Sequence, residues 1–158
     1  GADYAREHLR DEFLSQLISG KISDPLELTC KTKLLRANIS LALPCYIFDF
    51  DMPMGEVYLS DTWHYGKDRL QAAIRNNFLG RYVEGIYYDA EVMTQRHIRV
   101  FACPEMGLDE DKASVRSRAE ERARLLVGLV KNYLGLDLYY EQTTELKNIY
   151  ELCQFKPV

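Results

Sequence analysis

Residues 85–103 read GIYYDAEVMTQRHIRVFAC. Residues 85–89 and 97–103 are rich in Ile, Tyr, Val and Phe, the composition of strands. The polar stretch 91–96 between them predicts the turn of a hairpin. Downstream, residues 104–110 hold Pro and Gly and predict a loop. Residues 112–134 place Val115, Ala119, Ala123, Leu126, Val130 and Tyr133 on one helical face, and Gly135 ends that helix. Residues 136–141 alternate, with Leu136, Leu138 and Tyr140 opposed to Asp137, Tyr139 and Glu141, which predicts a half-buried strand. Upstream, residues 63–81 carry Leu70, Ala73, Ile74 and Phe78 at helical spacing. Before them LPCYIFDF, residues 43–50, is too short and too aromatic for a typical helix and predicts a central strand, broken by Asp51-Met52-Pro53-Met54-Gly55.

The order is strand, helix, strand, strand, helix, strand, which is the split βαβ pattern of ferredoxin-like folds. That fold packs helices on one face of a four-stranded antiparallel sheet. The right-handed crossover rule places its first and third strands side by side. Two helices precede the pattern. Residues 3–19 carry an apolar stripe of Leu9, Phe13, Leu14, Leu17 and Ile18, ended by Gly20. Residues 25–38 open with Asp24 as cap, Pro25 in the first turn and Glu27 placed to close a capping box. Thr144 stands as cap of a last helix over residues 144–152. The expectation is one α+β domain over residues 1–158: a helical lead of 1–40, a core of 41–142, and over 143–158 a helix leading toward a further part. The chain reads as a piece of a longer protein, with Gly1 as an added residue.

Of 158 residues, 47% are hydrophobic and 28% charged, an ordinary globular composition with enough apolar area for a core. The formal charge is −4. Lys31 and Lys33, Arg116 and Arg118, and Arg122 and Arg124 are scattered pairs rather than a sustained basic stripe, so direct nucleic-acid binding is not expected. Cys30, Cys45, Cys103 and Cys153 form no CxxC pair, and His8, His64 and His97 lie far apart, so no metal site is expected. Buried free thiols in a reducing compartment explain the cysteines. No apolar run approaches the roughly 18 residues of a membrane span, and no signal peptide is visible; no membrane insertion and a cytoplasmic location are expected.

Several stretches resemble, in order, the degenerate GGDEF-like domains of AraC-type and purine-catabolism-type bacterial transcription regulators. They are DEFLSQLISGKISDPLEL (11–28), PCYIFDFD (44–51), RLQAAIRNNF (69–78), LLVGLVKNYLGLDLYYEQT (125–143) and TELKNIYEL (144–152). The resemblance implies a sheet like the nucleotidyl cyclase palm. It also implies a regulatory, signal-transmitting role between two partners in the same chain: an upstream receiver or membrane-anchored sensor, and a downstream helix-turn-helix DNA-binding part.

An active palm needs carboxylates that hold divalent metal on a triphosphate and a glycine-rich hairpin that lets backbone approach phosphate. The resemblance maps the first metal-ligating acid onto Asp49. Asp49 and Asp51 share one strand face; solvation or loop capping is the favoured reading of both, and metal or ligand binding is the alternative. The hairpin reads Asp89-Ala90-Glu91-Val92-Met93-Thr94-Gln95-Arg96, with no glycine. No catalytic residue, metal or cofactor is therefore expected, and residual nucleotidyl cyclase chemistry is the least favoured alternative. A second alternative is small-ligand sensing, by a nucleotide or metabolite, in which Asp49, Asp51, Trp63 and Tyr65 are the binding candidates. Tyr4, Leu9, Phe13 and Leu17 are interface candidates toward an upstream helix or a second subunit in a homodimer. Packing of that stripe on its own domain is the competing reading.

Overall fold

A computed structural model describes residues 1–155; the end of the predicted segment 143–158 lies outside the described residues. The elements in chain order are α1 (Ala2–Ile18), α2 (Pro25–Leu34), β1 (Cys45–Asp51), α3 (Gly55–Val57), α4 (Lys67–Ala73), β2 (Tyr82–Val83), β3 (Ile86–Thr94), β4 (His97–Pro104), α5 (Lys112–Leu134) and β5 (Tyr139–Leu146). α3 runs into a π turn over Tyr58–Thr62, α4 into another over Ile74–Leu79, and a 3-10 turn follows β5 over Ile149–Cys153.

The protein is α+β, with an antiparallel sheet in the order β2-β3-β4-β1-β5. The expected neighbours, the first strand and the second arm of the hairpin, do pair, with Phe48 opposite Val100 and Asp49 opposite Arg99. The sheet has five strands rather than four. β2, a two-residue edge strand opposite Tyr87 and Ile86, is too short for any periodic signal.

Other boundaries move for local reasons. The hairpin turn shrinks to Gln95 and Arg96, because Glu91, Val92 and, past a bulge at Met93, Thr94 pair on with β4. Thr94 Oγ1 accepts from the Arg96 N–H at 3.1 Å and tightens that turn. Residues 63–66 are a turn rather than helix; Gly66, at φ +89, takes a conformation open to glycine and opens α4 after it. β5 starts later than predicted and continues to Leu146. Thr144 therefore lies opposite Ile47 in the sheet and caps nothing. Asn148 caps the short turn that follows, its side chain accepting from Tyr150 N–H at 3.0 Å. The predicted cap of α2 is present: Asp24 Oδ1 accepts from Leu26 N–H at 3.0 Å. Glu27 does not close the box and reaches Lys31 instead. α5 is capped by Asp111 and ended by Gly135 in the left-handed region.

Helices cover both faces of the sheet, not one. Along β1, Tyr46, Phe48 and Phe50 point to the face under α4 and α5, where Leu70, Ile74, Ala119, Ala123, Leu126 and Val130 meet them. Cys45 and Ile47 point to the other face, with Tyr87, Phe101 and Cys103 from β3 and β4. Phe13, Leu14, Leu17 and Ile18 of α1, Leu28 of α2, and Ile149 and Leu152 close over them. Among the described residues no helix is long and apolar enough to cross a membrane.

Candidate functional site

The second face changes character along its length. Past Ile47 and Phe101 it turns charged, because β1, β3 and β4 each place polar residues at alternate positions there. β1 contributes Asp49 and Asp51, β4 contributes His97 and Arg99, and β3 contributes Asp89 and Glu91. The register sets Arg99 between Asp49 on one side and Glu91 on the other, and sets His97 opposite Asp51.

Asp49 is buried. Its Oδ1 accepts from His97 Nε2 at 2.7 Å and from Arg99 Nε at 3.1 Å. Burial pushes its carboxyl upward, but the hydrogen bond from His97 and the charge and hydrogen bond of Arg99 outweigh it and hold the group below the ordinary carboxylate range. Arg99 is fully buried, reaches the Ile18 carbonyl of α1 at 3.4 Å, and lies with its guanidinium 4.7 Å from the Phe155 ring. Asp49 Oδ2 and Arg99 Nη2 are buried without a hydrogen-bond partner among the described residues.

A second charged group surrounds Asp89. Its Oδ1 takes Arg75, and its Oδ2 accepts from the Tyr87 hydroxyl at 2.6 Å. Arg81 Nη2 donates to that hydroxyl at 3.0 Å and to Asp11 of α1 at 3.0 Å. Glu91 accepts from Ser15 of α1 at 2.6 Å and lies 3.6 Å from Arg75. Burial lifts the Glu91 carboxyl above its ordinary value against the pull of Ser15 and Arg75. Through Asp11, Ser15 and Ile18, α1 is thus tied to the charged half as well as to the apolar half.

The β3–β4 turn is closed off. Met52 N–H donates to the Arg96 carbonyl at 3.0 Å, and Arg96 Nη2 lies 3.5 Å from Asp51 Oδ2. Gly55 sits so close to the Gln95 carbonyl that a Cβ at that position would collide with it. The loop after β1 therefore lies directly against the turn, and it can do so only because residue 55 has no side chain.

The four ligand candidates divide into two pairs. Asp49 and Asp51 line a cleft of about 450 Å³ together with Thr94, Arg96, His97, Glu141 and Gln142. Trp63 and Tyr65 line another, of about 380 Å³, with Arg69, Ala72, Ala73, Asn76 and Asn77. Trp63 packs against the core on the α4–α5 side, lies stacked 6.4 Å from Tyr58, and donates from Nε1 to the Gly66 carbonyl at 2.9 Å. Tyr65 meets it edge-on and is exposed. The interface candidates divide as well. Phe13 and Leu17 are buried inside the domain, as the own-domain reading of the stripe required, while Tyr4 (76% exposed) and Leu9 face solvent.

His97, Arg99, Asp89, Arg75 and Arg81 were not singled out from the sequence as a group. A signal for part of it existed: FDFD in β1 and HIR in β4 each alternate charged with apolar residues. Pairing the two strands turns that alternation into facing partners. Among the described residues no group of three His, Cys, Asp or Glu side chains could hold a metal ion. No family model, no curated protein and no solved structure matches this chain.

Proposed function

We propose that this domain is a non-catalytic, signal-transmitting module with a palm-like, ferredoxin-type sheet. In this reading it belongs to the kind of cytoplasmic bacterial regulator that the resemblance to GGDEF-like domains of AraC-type proteins implies. Its partners are then an upstream input part and a downstream DNA-binding part. The observation that carries the reading is the closed hairpin turn. In a working palm that turn must stand open to phosphate; here Met52, Gly55 and Arg96 hold it against the loop after β1. The acid that would take the metal, Asp49, is already neutralised by Arg99.

A transmitting role draws support from α1. Its second half is docked through Phe13, Leu14, Leu17 and Ile18 and held by Asp11 and Ser15, while its first half, with Tyr4 and Leu9, is free to meet another helix or a second copy. A displacement of the free half would be passed to Arg81, Glu91 and Arg99 through rigid contacts. The test is incubation with GTP or ATP and magnesium, reading both cyclic product and thermal shift. No product and no shift at millimolar nucleotide is the expected result. Turnover would overturn the proposal.

Small-ligand sensing is favoured by one observation, the unpartnered Asp49 Oδ2 beside a cleft shared with Asp51. A thermal shift with nucleotide but without turnover would select that reading.

A further inference from the structure

At the apolar end of the second face two cysteines meet. Tyr46 pairs with Ala102 across β1 and β4, so the next step of the same register sets Cys45 opposite Cys103. Residues directly opposed in an antiparallel ladder have Cα atoms about 4.5 or 5.5 Å apart. Both spacings lie within the window a disulfide needs, about 4.4–6.8 Å. Both side chains point to the same face and belong to the same apolar cluster. The neighbouring Cys103 thiol and burial together hold the Cys45 thiol well above its ordinary value, and both sulfurs are fully buried, out of reach of an oxidant in solution. Their cluster is completed by Leu14 and Leu17 of α1, by Ile39 of the segment before β1, and by Ile149 and Leu152 of the turn after β5. Cys30 and Cys153 lie nearer the surface.

We propose that Cys45 and Cys103 are a latent cross-strand disulfide site, shut by the cover that α1, the segment before β1 and the turn after β5 form over this face, and oxidised by a small organic disulfide only when that cover lifts from the sheet. This inference stands on the strand register and the cover, and does not depend on the regulatory reading above. Oxidation by glutathione disulfide proceeds in two exchanges. One cysteine loses its proton, and its sulfur attacks a sulfur of the oxidant, forming a mixed disulfide and releasing one glutathione thiolate. The second cysteine, also deprotonated, attacks the first protein sulfur, forming Cys45–Cys103 and releasing the second thiolate. The two protons end on the two glutathione thiols, and the two electrons lost by the protein sulfurs reduce the oxidant's bond.

The experiment uses the 158-residue chain with Cys30→Ser and Cys153→Ser, so that only the pair remains. A urea series is run first with N-ethylmaleimide, to find the concentration at which Cys45 and Cys103 become alkylated. Parallel samples then receive glutathione disulfide, and intact mass and peptide maps are read. The expected result is no change without urea. At the urea concentration that opens the pair, a loss of two hydrogens is expected, mapped to a Cys45–Cys103 cross-link. Glutathione adducts without the cross-link at that concentration would overturn the proposal. So would alkylation of the covered pair, without urea, as fast as that of Cys30 in the unsubstituted chain, because the cover would then protect nothing. Cys103→Ala provides the control, in which Cys45 stops at the mixed disulfide.

Discussion

The two faces of the sheet are built on different principles. Under α4 and α5 the face is apolar along the whole strand: Tyr46, Phe48 and Phe50 on β1, Tyr88, Ala90 and Val92 on β3, Ile98, Val100 and Ala102 on β4. Under α1 and α2 it is apolar only as far as Ile47 and Phe101, then charged, with Asp49, Asp89 and Arg99 as deeply buried as the leucines around them. Apolar burial is non-directional and tolerates repacking. A buried ion pair adds little net stability but is costly to break, because removing one partner leaves the other charge without solvent or counterion. The charged half is therefore the part most sensitive to losing a partner, and α1 is bonded to it through three separate contacts.

That contrast can be broken by substitution. Arg99→Met leaves Asp49 with its neutralising cation gone and should cost about 3–5 kcal/mol in urea unfolding. Asp49→Asn added to it should recover a large part. A loss under about 1 kcal/mol for Arg99→Met alone would show that the pair is solvated and the contrast false. On the apolar face, Leu126→Ala should cost about 3 kcal/mol by transfer and cavity formation. No second substitution to a polar residue should restore it. Gly55→Ala tests the closed turn: the new methyl must push the loop from Gln95, at a cost of about 1–3 kcal/mol. Faster amide exchange at Met52 should accompany that loss, and an unchanged rate would mean the loop is not held by the turn.

The smallest effect is in pH. Asp49 is held below the ordinary carboxylate value, so its contribution is complete above that value and is lost as pH falls through the lowered one. Glu91 is held above its ordinary value and works in the opposite direction: its contribution is complete below that value and fades as pH rises through the raised one. Urea midpoints followed from neutral pH to below ~pH 4 should fall less steeply in Asp49→Asn than in the parent chain. A steeper fall would mean that the parent carboxylate is not held charged by its partners.

Much of the architecture was legible because its elements are long and periodic. The α5 stripe from Val115 to Val130 repeats at helical spacing over about four turns, and Gly135 ends it as glycine does at a left-handed position. The α1 stripe and the Asp24 cap were equally clear. The failures have local causes. β2 is two residues long. Thr144 looks like a cap, but the ladder with β1 claims it first. Residues 63–66 carry helix-like apolar content, yet Gly66 needs a positive φ. The candidate site was legible only in part, since Asp49 and Asp51 stand out as alternating acids while their partners Arg96, His97 and Arg99 are 45 to 50 positions away in sequence.

Composition and periodicity alone determined that the chain makes an α+β domain with β1 as an interior strand of its sheet, because alternation and helical spacing are local properties of a chain. They also determined that the hairpin has no glycine between Asp89 and Arg96. Only the tertiary structure decided that Arg99 neutralises Asp49, that Trp63 and Tyr65 turn away from the acids, and that α1 lies over the second face. Those facts depend on which strand lies beside which and in what register, and a pairing partner is chosen by the whole fold rather than by neighbouring residues.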